Sequence, residues 1–164
     1  MLHKETIRTI ERFIERRRAE VLNPALVLAL TDRQQTRYAG RYGVTHLGSA
    51  APVEPSTLFE IGSVSKTFAA VAAMQAQEAG LLDLEAPVRE YLPWFEVRSP
   101  YDAPITTHHL LSHSAGLVYS SDASPDPRGA VWSLRDLAVG FAPGERFYYS
   151  EPGYQTLTLI LQTV

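Results

Sequence analysis

Apolar residues return every three or four positions through the first twenty residues. Ile7, Ile10, Phe13 and Ile14 fall on one face of a 3.6-residue period, with charged residues between them. That spacing predicts an amphipathic helix over residues 4–19. The pattern then changes. Residues 25–30 (ALVLAL) form a continuous apolar run closed by Thr31-Asp32, which reads as a well-buried strand. Over 36–44, Thr36, Tyr38, Gly40 and Tyr42 alternate with Arg37 and Arg41, the period-two pattern of a second strand. Two strands joined by a short polar turn predict an antiparallel hairpin with the first helix laid across it.

Beyond residue 60 the period is helical. Val64, Phe68, Val71, Ala72 and Ala79 share a face over 64–79, and Gly80 stands where a C-cap glycine belongs. Pro87 opens a short helix that ends near Pro93. Thr106 or Thr107 caps another, running through Leu110 and Leu111 to a stop at Gly116. Residues 119–130 (YSSDASPDPRGA) read as a polar loop, and Ser133 to Asp136 as a capping box opening one more short helix. Residues 153–164 read as a helix just under way, with an apolar face exposed at the terminus, so that further chain is expected to follow. There is no internal repeat and no low-complexity tract.

Composition narrows the chemistry. The 164 residues are 45% hydrophobic and 20% charged with a formal net charge of −3. That is enough chain for one domain with a core, and it gives no electrostatic basis for nucleic-acid binding. The basic cluster Arg16-Arg17-Arg18 complements the C-terminal end of the first helix. With no cysteine, a thiol nucleophile, a Cys–zinc site and a disulfide framework are excluded. The first twenty residues match neither a secretory signal nor a membrane span, so a cytoplasmic location, or prior loss of a targeting segment, is expected.

The candidate chemistry is Ser63-Val64-Ser65-Lys66. Helix positions three apart share a face, so a serine in the first turn and a lysine one turn later can touch. A serine hydroxyl is a weak nucleophile, and a neighbouring amine of lowered pKa can take its proton. The helix start also offers free backbone N–H groups to a developing oxyanion. An S-x-x-K is weak alone. Here it follows LFEIG and precedes a largely apolar helix, where an isolated exposed Ser–Lys pair is unusual.

LFEIGSVSKTFAA resembles the nucleophile segment of the family that includes class C β-lactamases, D-alanyl-D-alanine carboxypeptidases and related esterases. GLLDLEAPVREYLP, ITTHHLLSHSAGL and PGERFYYSEPGYQTL resemble further segments of that family in the same order, from about residue 24 onward. The resemblance implies an α+β fold of the β-lactamase/transpeptidase type, incomplete at the C-terminus. An antiparallel sheet with flanking helices (residues 1–60) would join a mostly helical part carrying the nucleophile (61–164), both belonging to one catalytic domain. It implies acyl transfer through an ester on Ser63, with Lys66 as activating base and the Ser63 N–H as half of the oxyanion hole. The family's Tyr-x-Asn motif falls at Tyr149-Ser150-Glu151, making Tyr149 the proton-relay candidate, with Tyr148 as its rival. Glu151 replaces the asparagine expected to contact substrate. It either pairs with Lys66 and favours the ammonium, points away, or positions a hydrolytic water. The family's third motif, Lys-Thr-Gly or His-x-Gly, does not follow Tyr149.

Rival readings fare worse. His109 and His113 are four apart, but the metalloprotease pattern needs a glutamate where Leu110 stands. No metal is implied, and by resemblance the histidine in LLSHSAGL is structural. No G-x-S-x-G surrounds Ser63 or Ser114. His3 and His46 are isolated. The expected activity is that of a serine hydrolase on a small ester or amide, then a D-amino-acid peptide, then a β-lactam, without metal or organic cofactor. A non-hydrolytic sensor or interaction module is the alternative. Dimerisation, or association with a C-terminal part, is expected from unpaired edges.

Overall fold

The computed structural model describes residues 3–48, 50–118 and 126–164. The chain divides into two compact units, Met1–Glu60 and Ile61–Val164.

The first unit holds α1 (Lys4–Glu20), β1 (Ala25–Thr31) and β2 (Thr36–Gly43). His3 caps α1, its Nδ1 accepting from the Glu5 N–H, and Arg17 and Arg18 occupy the last turn. Ile14 is the buried residue of α1, whereas Phe13, expected on the same face, is exposed. Arg18 ties the helix to the hairpin by donating from Nη2 to the Pro24 carbonyl at 3.2 Å. The strands pair antiparallel from Ala25–Gly43 to Thr31–Thr36, with an irregularity at Leu30/Thr31. Asp32 closes the turn by accepting the N–H groups of Gln34 and Gln35, both at 2.9 Å, and it pairs with Arg37. These donors hold the Asp32 carboxyl below its ordinary value, the backbone N–H groups most. β1 is not fully buried as its apolar run predicts. Its burial alternates and Val27 is exposed, because a two-stranded sheet of this unit offers cover to one face only.

The second unit is helical. A 3₁₀ turn (Gly62–Val64) leads into α2 (Ser65–Glu78), followed by α3 (Val88–Tyr91), α4 (Thr107–Leu111), α5 (Pro127–Trp132), a 3₁₀ turn (Ser133–Asp136) and α6 (Glu151–Leu161). α6 packs against α2, α4 and α5. Val88, Leu110, Val131, Leu134, Leu157 and Ile160 form the centre of its core, each fully buried.

Several expectations change here. α2 turns its small residues inward. Ala73 is buried and Ala69 and Ala76 pack against the core, while Val64, Phe68 and Val71 are exposed. The helix carries two apolar faces, and the alanine face allows the closer approach to α6. The C-terminus of α2 is a full Schellman closure: Leu81 N–H donates to the Ala76 carbonyl and Gly80 N–H to Gln77, with Gly80 at φ +71. Pro87 stands at the N-cap of α3. Thr106 caps α4 in a capping box whose return donor goes to His109 Nδ1. α4 stops at Leu111 rather than near Gly116, because His113 adopts φ +56.

The polar loop expected over 119–130 lies outside the described residues for 119–125. From Pro127 it is helical instead, capped by Asp126, which accepts the Gly129 N–H at 3.1 Å. The capping box expected at Ser133 does not form, since Ser133 Oγ donates backward to the Ala130 carbonyl. α6 begins two residues earlier than expected, and its apolar face is not exposed: Leu157, Leu159 and Ile160 are buried. Among the described residues no helix is long and apolar enough to cross a membrane.

Thr107 is fully buried, and its hydroxyl has no hydrogen-bond partner among the described residues. An unmet buried hydroxyl costs roughly 1–3 kcal/mol. Thr107→Val is therefore expected to raise stability by about 1 kcal/mol in chemical denaturation. A lower midpoint in the variant would show that the hydroxyl is satisfied.

Candidate active site

The site is built where three short segments meet inside the second unit. Gly62, at φ +52, turns the chain into the 3₁₀ turn that presents Ser63. A residue with a side chain would be strained in that left-handed conformation. Lys66 follows in the first turn of α2 and brings Nζ to 3.4 Å from Ser63 Oγ. From the start of α6 comes Tyr149, whose hydroxyl lies 2.6 Å from the same oxygen. Glu151, the first residue of α6, reaches Lys66 through Oε2 at 2.6 Å. The four residues singled out in the sequence are thus brought together. Tyr148, the rival to Tyr149, turns away and packs edge-on against Phe141.

Ser150 fixes the segment that carries two of them. Its Oγ accepts the Gly153 N–H at 3.1 Å as the cap of α6 and donates to the Leu117 carbonyl at 2.8 Å. Leu117 is held in turn by Gly116, whose carbonyl accepts the Gly140 N–H at 2.9 Å. At Gly116, φ is +75 and an added Cβ would meet the Phe141 carbonyl oxygen at 2.4 Å. Only glycine allows that backbone approach.

Charge in the site is organised around Lys66, whose side chain is 13% exposed. Burial works against its ammonium, but the Glu151 carboxylate and the Tyr149 hydroxyl outweigh it, and the net shift is upward. Of the three arrangements open for Glu151, the structure shows the ion pair. Tyr149 moves the other way. Lys66 first, then the Ser63 hydroxyl, favour its phenolate and lower it from its ordinary value, against burial and the Glu151 charge. The Lys66 ammonium also lies 5.0 Å from the centre of the Tyr149 ring and 5.6 Å from that of Tyr154. Beside this pair opens a cleft of about 180 Å³, lined by Lys66, Glu151, Tyr154, Gln155 and Thr158 among others.

The histidines take separate tasks. His108 Nδ1 meets Glu85 at 2.8 Å, and His109 serves the capping box of α4. His113 is beside the site, its ring stacked on Tyr149 with centroids 4.6 Å apart. Sequence spacing gives no signal of that contact, because the two lie on different elements far apart in the chain.

A family description of beta-lactamases matches residues 10–164. The chain belongs to the beta-lactamase family. Over 143 residues it is 31% identical to penicillin-binding protein 4* of Bacillus subtilis (strain 168), covering 76% of this chain and 29% of that protein. Over 111 residues it is 40% identical to a beta-lactamase of Yersinia enterocolitica, covering 66% of this chain and 28% of that one. Among solved structures it is similar to the octameric penicillin-binding protein homologue from Pyrococcus abyssi. That match has a TM-score of 0.81 at 30% identity, over 96% of this chain and 39% of the other. This beta-lactamase-family chain therefore has the β-lactamase/transpeptidase fold over part of a domain, and is related to serine hydrolases. It spans less than a third of the length of these two curated relatives.

The Tyr149 environment has a direct optical consequence. Absorbance at 295 nm, titrated for the wild type and for Tyr149→Phe, should differ by one tyrosine ionising below the ordinary 10.0. Lys66→Met is expected to move that step upward, since it removes the cation that favours the phenolate. A difference step at or above 10.0 would show that Tyr149 does not share the Lys66 field.

Proposed function

We propose that this chain carries the nucleophile of a serine hydrolase that takes an acyl group onto Ser63. The observation that supports it most is the approach of two polar groups, Tyr149 Oη at 2.6 Å and Lys66 Nζ at 3.4 Å, to one serine oxygen. Nucleophile and base within hydrogen-bond reach, with the base held by a third group, is the arrangement nucleophilic catalysis requires.

The ion pair with Glu151 supports a division of roles. Lys66 held as an ammonium has no lone pair with which to take a proton, so it acts as a fixed positive charge. Tyr149, lowered by that charge, is the base. In the ionised state its phenolate takes the Ser63 Oγ proton while Oγ forms a bond to the substrate carbonyl carbon. The tetrahedral oxyanion faces the start of the 3₁₀ turn, where the Ser63 N–H is available to it. As the carbonyl re-forms, the bond to the leaving oxygen or nitrogen breaks, and that atom takes the proton from Tyr149. Hydrolysis repeats the sequence with water. Tyr149 takes a water proton, the hydroxide oxygen bonds to the acyl carbon, and Ser63 Oγ leaves and recovers the proton.

A small neutral ester or amide is the substrate class that fits best, ahead of a D-amino-acid peptide and a β-lactam. The Glu151 carboxylate offsets the Lys66 charge, so the site has little excess positive potential to draw in a substrate carboxylate. The same carboxylate favours a second reading, a slowly turning-over acyl-serine sensor. The lifetime of the ester separates the two.

Release of p-nitrophenol from p-nitrophenyl butyrate tests the reading. Ser63→Ala should abolish it, and Tyr149→Phe should lower kcat by about 10²–10⁴-fold at little change in KM. The wild-type rate should rise with pH through the Tyr149 ionisation, because the phenolate is the active form. Full activity in Ser63→Ala, or a flat pH profile, would contradict the assignment. Glu151→Asn should raise kcat/KM for the anionic hemisuccinate ester relative to the butyrate, roughly fivefold at low salt, as expected for one charge a few ångströms away. An unchanged ratio would remove Glu151 from substrate choice.

A further inference from the structure

His113 holds a backbone conformation that its residue type disfavours. Its φ of +56 lies in the left-handed region, where a residue other than glycine is uncommon and costs free energy unless its surroundings hold it. Its N–H donates to the Leu110 carbonyl at 3.3 Å, and its other contacts run to one short stretch of chain, residues 147–154. The His113 carbonyl accepts the Tyr148 N–H at 2.8 Å, and its Nδ1 accepts the Ser150 N–H at 3.0 Å. Tyr149 lies between these two anchors, with its ring stacked on the imidazole at 4.6 Å. Tyr154 closes on the imidazole at 4.9 Å, and Phe147 meets it edge-on at 5.5 Å.

We infer that His113, in the neutral form with its proton on Nε2, is the positioning residue that sets the Tyr149 hydroxyl on Ser63. The inference rests on the reading of Ser63 and Tyr149 given above and deepens it. Backbone bonds on both sides of Tyr149 and a ring against its face leave the tyrosine few ways to turn. The hydroxyl that results stands 2.6 Å from Ser63 Oγ. A bare Nδ1 is required, because the group facing it is itself a donor. Protonation of His113 would oppose two N–H groups at 3.0 Å and place a second cation near the Lys66 ammonium.

The surroundings keep the imidazole neutral. Burial, and then the Lys66 charge on α2, push His113 below its ordinary value, while Glu151 on α6 acts in the opposite sense. The other titratable groups against it are Tyr149 and Tyr154. A group needed neutral gives activity above its pKa and loses it as pH falls through that pKa. His113 should therefore add a second fall in rate, below 6.5, the ordinary histidine value, to the fall through the Tyr149 ionisation.

Two variants separate position from folding. His113→Gly relieves the left-handed strain but removes both the acceptor and the ring. His113→Asn tolerates the same φ and offers Oδ1 near the place of Nδ1, without a titrating ring. With folding checked by circular dichroism, the glycine variant should lose about 10²-fold in kcat, the usual scale for an ångström of misplacement, with KM nearly unchanged. The asparagine variant should recover most of that loss and lack the acid limb assigned to histidine. In the 295 nm titration, Tyr149 should return toward 10.0 in the glycine variant and stay lowered in the asparagine variant. The inference is overturned if a folded glycine variant keeps wild-type kcat and a lowered Tyr149, or if the asparagine variant keeps the second fall below 6.5 in addition to the fall through the Tyr149 ionisation. The titration needs no turnover. Should the chain hydrolyse no ester, an upward shift in the glycine variant still supports the positioning role while the catalytic reading fails, and an unmoved Tyr149 overturns the positioning role itself.

Discussion

Ser150 makes two hydrogen bonds with one hydroxyl, accepting from Gly153 and donating to Leu117, and the site depends on that junction. It fixes where α6 starts, with Tyr149 just before the helix and Glu151 as its first residue. An N-cap of this kind contributes about 1 kcal/mol to helix stability. Its larger consequence is geometric. The helix behind it is anchored by Leu157 and Ile160, both fully buried, so the register of the cap is set by the core. Tyr149 and Glu151 inherit that register and meet the Ser63–Lys66 pair from the opposite side.

The charges then sort themselves by strength of contact. Glu151 is 58% exposed, so its pair with Lys66 adds roughly 1 kcal/mol or less to stability. Its importance is in holding the Lys66 proton, and the Lys66 charge then acts on its neighbours against the opposing pull of Glu151. Lys66 keeps its proton, Tyr149 is made the more acidic group, and His113 is kept neutral beside both. A carboxylate at the position where the family resemblance calls for asparagine thus pairs with Lys66 while Tyr149 keeps its contact with Ser63. Lys66 Nζ and Tyr149 Oη both lie within hydrogen-bond reach of Ser63 Oγ, and the proposed mechanism gives the role of base to the tyrosine.

The chemistry was more legible in the sequence than the packing. Ser63 and Lys66 stand three apart at a helix start, where a short spacing fixes a short distance, whereas Tyr149, 86 residues from Ser63, was readable only from the family resemblance of PGERFYYSEPGYQTL. The helix and hairpin of the first sixty residues were equally readable from period alone. The failures have common causes. Val64, Phe68 and Val71 outweigh Ala69, Ala73 and Ala76 in hydrophobicity, yet the alanines face the core because α6 approaches closely there. The Asp126 cap was hidden in a run of turn-forming residues, and its helix was read as loop. The placement of His113 against Tyr149 has no local signature. It arises from a left-handed turn at one end of α4 meeting the cap of α6, and only tertiary structure supplies that.

The proposed acyl transfer requires Ser63 to be assembled into a working nucleophile within this chain. Intact mass after incubation with a fluorescent penicillin and, separately, with an activated ester tests it most directly, beside Ser63→Ala as control. One acyl adduct per chain, absent from the control, is expected, formed faster with the ester than with the penicillin. A folded chain that takes no adduct from either reagent, or one labelled equally in the control, would contradict it.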